Sequence, residues 1–102
     1  MKKYTQIYFD ALNYHETDFI PSELSGHKAV DINHIICRGM GGTKDKDRIE
    51  NLMALTRREH DDYGDKKHMT ALLLMAHRKF LDKKKVEYDN DWFERHILRY
   101  AD

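Results

Sequence analysis

Seven histidines occur in this chain of 102 residues, so metal binding is the first chemistry to consider. Five of them stand in polar or turn-like surroundings, and we interpret them as solvated or structural: His15, His27, His68, His77 and His96. His34 differs, because it ends a predicted strand and precedes a glycine-rich loop. His60 lies further along, in a predicted helix. A strand, a loop and a helix start form a compact unit that can bring Asn33, His34 and His60 together.

The first half of the chain predicts one helix and two strands. Residues 4–14 carry apolar side chains at helical spacing, which predicts an amphipathic helix. Residues 18–23 form at best an edge strand, because Pro21 has no backbone N–H to donate. Residues 28–36 are rich in β-branched side chains and predict the second strand of a hairpin.

The second half predicts a loop followed by helices. Three glycines in four positions place residues 37–47 in a loop, and residues 48–55 are ambiguous. Thr56 and Glu59 fit a capping box, so we expect a helix to start at Arg57. Later helices are predicted over residues 66–84 and 89–100, the former with an apolar stripe of Met69, Leu72, Leu73, Ala76, Phe80 and Leu81.

Residues 29–63 resemble the HNH endonuclease motif, the ββα-metal nuclease unit. The resemblance covers about a third of the chain closely, and the surrounding helices resemble small phage-type members more weakly. It rests on a combination of short matches: Asn33-His34-Ile35, Gly41-Gly42, Ile49-Glu50-Asn51-Leu52, and His60 five residues after Leu55. The fold it implies is α+β, a single domain over residues 1–102 in which a β-hairpin and a helix pack with further N- and C-terminal helices.

The resemblance also implies roles for two polar residues. His34 matches the general base, which takes a proton from water and directs the hydroxide at phosphorus. The free pKa of an imidazole, ~6.5, suits this work near neutral pH. Asn51 matches the asparagine that ties the loop down and helps to hold the base. The implied products carry a 5′ phosphate and a 3′ hydroxyl.

One divalent cation, Mg²⁺ or Mn²⁺, is implied between two ligand positions. His60 matches the ligand on the helix, and Asn33 stands where relatives usually place His or Asp. An amide oxygen adds no charge and binds a hard cation more weakly than a carboxylate. Asp31 lies on the same strand face as Asn33 and is a third candidate ligand. The alternative interpretation of Asp31 is an exposed strand carboxylate outside the site.

Many relatives flank this unit with two Cys-x-x-Cys pairs that hold a structural zinc ion. The matching positions here are Ser22, Ser25, Thr56 and Glu59, which lack thiolates, so we expect no structural zinc. The lone Cys37 cannot form an internal disulfide, and we interpret it as a small core or loop residue in a reducing, cytoplasmic setting, which would be a bacterial host cell if the chain is phage-encoded. No apolar run approaches the ~18 residues of a membrane helix, so we expect no membrane partner.

Positive charge is concentrated near the motif although the net charge is zero. Residues 38–58 hold six Lys or Arg against three Asp or Glu, whereas residues 1–37 hold three against five. This excess suits phosphate contact, so we predict DNA as the partner and four contact residues: Arg38, Lys44, Arg57 and Arg58. The lysines at 83–85 are either a second contact or a solvated helix end.

These observations lead to one expected function and its rivals. The leading hypothesis is a metal-dependent HNH endonuclease that cuts or nicks DNA. The first alternative is a catalytically weakened HNH-fold protein that binds nucleic acid or a protein partner, because Asn33 is a weak ligand. An inhibitor or structural phage protein that reuses the scaffold is a further alternative.

Overall fold

A computed structural model describes residues 1–37 and 44–101 of the chain. Six helices and strands are named here in chain order: α1 Lys3–Leu12, β1 Asp31–His34, β2 Leu52–Leu55, α2 Arg57–Glu59, α3 Thr70–Lys83 and α4 Asn90–Tyr100. Short turns connect them: the 3₁₀ turns Lys44–Lys46, Ile49–Asn51 and Lys67–Met69, and the π-helical turn His60–Gly64, which follows α2 directly. The α+β class is confirmed. None of the described helices is both long and apolar enough to cross a membrane.

The two strands form the middle layer of the fold. They run antiparallel, with Asp31 opposite Leu55 and His34 opposite Leu52. All four residues of β2 are buried, because successive side chains point to opposite faces and both faces are covered. Leu52 and Ala54 pack with α1 in one apolar cluster, whereas Met53 and Leu55 pack with α3 and α4 in the other.

The predicted pairing of residues 28–36 with residues 18–23 is wrong. Residues 18–23 and 28–36 share only the isolated bridge between Pro21 and Lys28 among the residues described. β1 pairs instead with β2, which the sequence left ambiguous within residues 48–55. Pro21 donates no ladder bond, whereas the apolar run of β2 buries side chains on both faces of the sheet. The resulting order is strand, loop, strand and helix.

Three helix predictions are confirmed and one needs correction. α1 and α4 lie where periodicity placed them, and α2 begins at Arg57 behind a capping box of Thr56 and Glu59. α3 begins at Thr70 rather than near residue 66, after a 3₁₀ turn. Its buried face is also rotated from the predicted stripe: Leu72 is 57% exposed, whereas Leu74 and His77 are completely buried.

A buried polar network connects α1 and α3 with the turn that leads into β2. The Tyr8 hydroxyl donates to Glu23 Oε2, and Glu23 Oε1 lies 2.6 Å from His77 Nδ1. His77 Nε2 lies 2.6 Å from the carbonyl oxygen of Ile49, so both ring nitrogens face acceptor oxygens. Burial raises the pKa of Tyr8, and the Glu23 carboxylate adds to the rise. The network fixes α1 and α3 against the turn that leads into β2.

Candidate active site

His34 ends β1 and lies under the first turn of α1. Its ring meets the Tyr4 ring edge-on, with the centroids 4.5 Å apart. Its Nε2 lies 2.7 Å from Asp47 Oδ1, and both side chains are largely shielded, at 14% and 13% exposure. Sequence reasoning missed Asp47, whose only signal was its place at the end of the glycine-rich loop.

The contact with Asp47 determines which ring nitrogen of His34 can accept a proton. A carboxylate accepts a hydrogen bond, so Nε2 carries the proton of the neutral ring and Nδ1 carries the lone pair. The pair therefore has the arrangement of a histidine base oriented by an acid.

Asn51 holds both sides of the loop that joins β1 to β2. Its side chain is fully buried, and its Oδ1 accepts from the Ile36 amide at 2.7 Å. Its Nδ2 donates to the carbonyls of Ile36 and Lys46, each at 3.0 Å. Ile36 lies two residues after His34, and Lys46 directly precedes Asp47. Asn51 thus fixes the two backbone segments that carry the His34–Asp47 pair.

Asn33 and His60 approach each other across Gly64. A Cβ built on Gly64 would lie 3.3 Å from Asn33 Oδ1 and also 3.3 Å from the His60 ring, so a larger residue here would press on both side chains. Asn33 Nδ2 and His60 Nδ1 are buried and have no hydrogen-bond partner among the described residues. Such orphaned polar atoms are costly unless a ligand or water satisfies them.

A cavity of about 310 Å³ brings these side chains together. It is lined by Lys2, Tyr4, Asp31, Ile32, Asn33, His34, Cys37, His60 and Asp65. Four predicted site residues therefore meet at one place, whereas Asn51 supports them from behind. Asp65, which sequence reasoning missed, has its Oδ2 3.4 Å from His60 Nε2.

Two of the predicted DNA contacts, Arg57 and Arg58, do not line this cavity. Arg57 and Arg58 are exposed at the start of α2, where they approach Asp31 at 3.8 Å and Asp62 at 3.6 Å. Lys44 begins the 3₁₀ turn Lys44–Lys46. Arg38 lies outside the described residues. DNA contact at all four residues therefore stays a prediction.

No family model matches this sequence, and comparison with curated proteins and with solved structures finds no significant match.

The cavity side chains fit a weakly held divalent cation. Within residues 1–37 and 44–101, no three His, Cys, Asp or Glu side chains converge on one point. Asn33 and His60 nevertheless line the same cavity, and each has a buried polar atom without a hydrogen-bond partner among the described residues. Rotating the Asn33 amide by 180° exchanges Nδ2 for an oxygen, and the Nδ1 lone pair of His60 is free when Nε2–H faces Asp65. Mg²⁺ keeps several waters and binds phosphate oxygens, so two protein donors suit it.

A hydrogen-bond cluster joins the four positions where relatives of the motif carry zinc ligands. Glu59 Oε1 accepts from the Ser22 hydroxyl and from the Thr56 amide, and the Glu59 amide donates to Thr56 Oγ1 at 3.1 Å. Burial raises the pKa of Glu59, but hydrogen bonds from Ser22, Ser25 and Thr56 outweigh it and leave the pKa below its ordinary value. The carboxylate connects the segment before β1 to the start of α2.

Proposed function

We propose that this chain is a metal-dependent endonuclease of the HNH type, which hydrolyses DNA phosphodiester bonds with His34 as general base. The observation that carries the proposal is the His34–Asp47 pair at the edge of a cavity that Asn33 and His60 also line. A base oriented by a carboxylate, beside two side chains that could hold a cation, suits general-base and metal-assisted hydrolysis of a phosphodiester. The resemblance of residues 29–63 to the motif supports the same assignment.

The residues divide the work as follows. Asp47 holds Nε2–H of His34, so Nδ1 takes the proton from a water molecule as its oxygen attacks phosphorus. The bond from phosphorus to the 3′ oxygen breaks, and that oxygen takes a proton from solvent water, which leaves a 5′ phosphate and a 3′ hydroxyl. Asn33 and His60 would hold the cation. When bound, the cation supplies a Lewis acid that offsets negative charge on the phosphate and the leaving oxygen. Lys2, which lines the same cavity, adds a positive charge.

Supercoiled plasmid provides the direct test of this function. Purified protein should convert it to the open-circular or linear form in Mg²⁺ or Mn²⁺, and an excess of EDTA should stop the conversion. End-group analysis of the product should find 5′ phosphates. Absence of conversion with either metal, or equal conversion in EDTA, would contradict the proposal.

A second candidate function is a catalytically weakened HNH-fold protein that binds nucleic acid or a protein partner. The observation that favours it is the neutral amide of Asn33 at a ligand position, which gives less affinity for a hard cation than a carboxylate. Asn33→Asp separates the two functions, with Asn33→Ala as the matched control. A large gain from an inactive parent favours the weakened protein, whereas an active parent that changes by only a few fold favours the enzyme.

A further inference from the structure

Two more depressions in the surface continue from the active-site cavity. The first, of about 450 Å³, shares Cys37 and Asp65 with that cavity. The second, of about 970 Å³, shares four lining residues with the first: Asp65, Lys66, Lys67 and Tyr100. Together they form one trough that leads from the cavity along the start of α3 to the end of α4. We call this trough the basic groove.

The basic groove is lined by more positive than negative side chains. Lys46, Lys66, Lys67 and Arg99 line it together with His68, and Asp65 is the one carboxylate among its described lining residues. Lys66, Lys67 and Arg99 are exposed, and none of the described carboxylates forms an ion pair with them. Arg57 and Arg58, by contrast, each have a carboxylate nearby. The positive side chains of the groove are therefore available to an anionic ligand.

Apolar and aromatic surface lies beside these charges. Leu72 and Met75 are 57% and 48% exposed on α3, and both line the groove with Tyr100. The outside of a duplex presents phosphates and sugars, and its stacked bases leave no base face open to an apolar or aromatic side chain. Unpaired bases expose that face, so they stack on aromatic and apolar surfaces while the backbone follows the cations.

We propose that the basic groove binds single-stranded DNA that extends from the active-site cavity. The inference rests on the proposed function, because the cavity at one end of the groove is where that strand would be cut. It adds contact residues that the charge pattern of residues 38–58 did not indicate. Lys66, Lys67 and Arg99 contact phosphates, and Leu72, Met75 and Tyr100 contact bases.

Binding can be measured apart from cleavage, using the full chain with His34→Ala in EDTA. The probe is a fluorescein-labelled 20-nucleotide single strand of mixed sequence, followed by anisotropy across a range of salt concentrations. The test variant is Lys66→Ala/Lys67→Ala/Arg99→Ala. The matched control is Lys79→Ala/Lys83→Ala/Arg95→Ala, which removes the same charges from exposed positions outside the groove.

The groove variant should bind the single strand at least about tenfold more weakly than the control. Its plot of log affinity against log salt should also be shallower by about two, since each single-strand phosphate contact contributes ~0.7 to the slope. Equal binding by the two variants, no binding by the parent, or equally tight binding of a matched duplex would overturn the proposal. Plasmid cleavage by the wild-type chain is scored separately, so loss of the groove leaves the nuclease proposal standing, and loss of cleavage leaves the groove standing.

Discussion

His34 Nε2 and Asp47 Oδ1 lie 2.7 Å apart, although thirteen residues separate them along the chain. β1 carries the histidine, the loop before the 3₁₀ turn Ile49–Asn51 carries the aspartate, and Asn51 binds the backbone of both segments. The backbone segments that carry the pair are therefore held by one buried and one partly buried hydrogen bond from Asn51. The geometry of the pair makes Asp47 the positioning residue for the proposed base.

Asp47→Asn should lower the rate of plasmid nicking by up to ~10⁴-fold, the order of loss when a histidine base loses the aspartate that sets its tautomer. The amide can donate as well as accept, so it no longer enforces the proton on Nε2. The nitrogen chemical shifts of the His34 ring should accordingly move away from the Nε2–H tautomer.

Two further variants distinguish a role of Asp47 in orienting His34 from a general effect on the fold. Asp47→Glu should recover part of the activity, because it restores a carboxylate, and Asp61→Asn on the adjoining turn should act like the parent. If Asp47→Asn leaves both the rate and the ring spectrum unchanged, Asp47 has no part in orienting His34.

Asn51→Ala should reduce the free energy of unfolding by about 3 kcal/mol. The substitution leaves the Ile36 amide and the carbonyls of Ile36 and Lys46 without their partner, and each buried unsatisfied group costs ~1–3 kcal/mol. Urea denaturation at pH 7 measures the change. Asn51→Asp keeps the acceptor for Ile36 but loses both donated bonds, so it should also destabilise. A loss below ~1 kcal/mol for Asn51→Ala would show that the loop is held by other contacts.

Glu59 should make the stability of the fold depend on pH below neutrality. Its pKa in the folded chain lies below its ordinary value of 4.5, so the folded state binds the proton less readily than the unfolded state. The stabilisation is present above that ordinary value and is lost as the pH falls through the folded pKa. Glu59→Gln can still complete the capping box but cannot titrate.

Urea denaturation of the parent and of Glu59→Gln at pH 7 and near pH 3 checks this assignment. The parent should lose more stability than the variant over that interval. Equal losses would show that other carboxylates cause the acid sensitivity.

Gly64→Ala should weaken the proposed metal centre more than it weakens the fold. The new methyl group would lie 3.3 Å from Asn33 Oδ1 and from the His60 ring, which is close enough to push both side chains apart by a few tenths of an ångström. We expect the Mn²⁺ concentration for half-maximal nicking to rise about tenfold, while the free energy of unfolding changes by less than ~1 kcal/mol. An unchanged Mn²⁺ dependence would show that Gly64 has no part in the proposed metal centre.

Local signals in the sequence predict the helices well and the strand pairing badly. The Thr56 and Glu59 capping box fixes the start of α2, because both partners lie within one turn. The partner of β1 depends on burial of the short run Leu52–Leu55 by helices that are distant in sequence, and no local pattern encodes that burial. The phase of α3 was misjudged for the same reason, since Leu74 and His77 are buried by neighbours from other segments.

The sequence likewise predicts only part of the candidate site. Strand, loop and helix order predicts that Asn33, His34 and His60 approach one another, and the structure places all three around one cavity. Their chemical roles stay predictions. Asp47, Asp65 and Gly64 were missed because a side-chain pair across a loop, or a close contact at a glycine, arises only from the folded geometry.

Plasmid nicking by His34→Ala, with Mg²⁺ or Mn²⁺ present, tests the central claim most directly. Removing the imidazole removes the acceptor of the water proton, so the rate should fall ~10²- to 10⁴-fold. His15→Ala, at an exposed position that does not line the cavity, should nick like the parent, and both variants should remain folded. A His34→Ala chain that is folded and nicks as fast as the parent would contradict the mechanism.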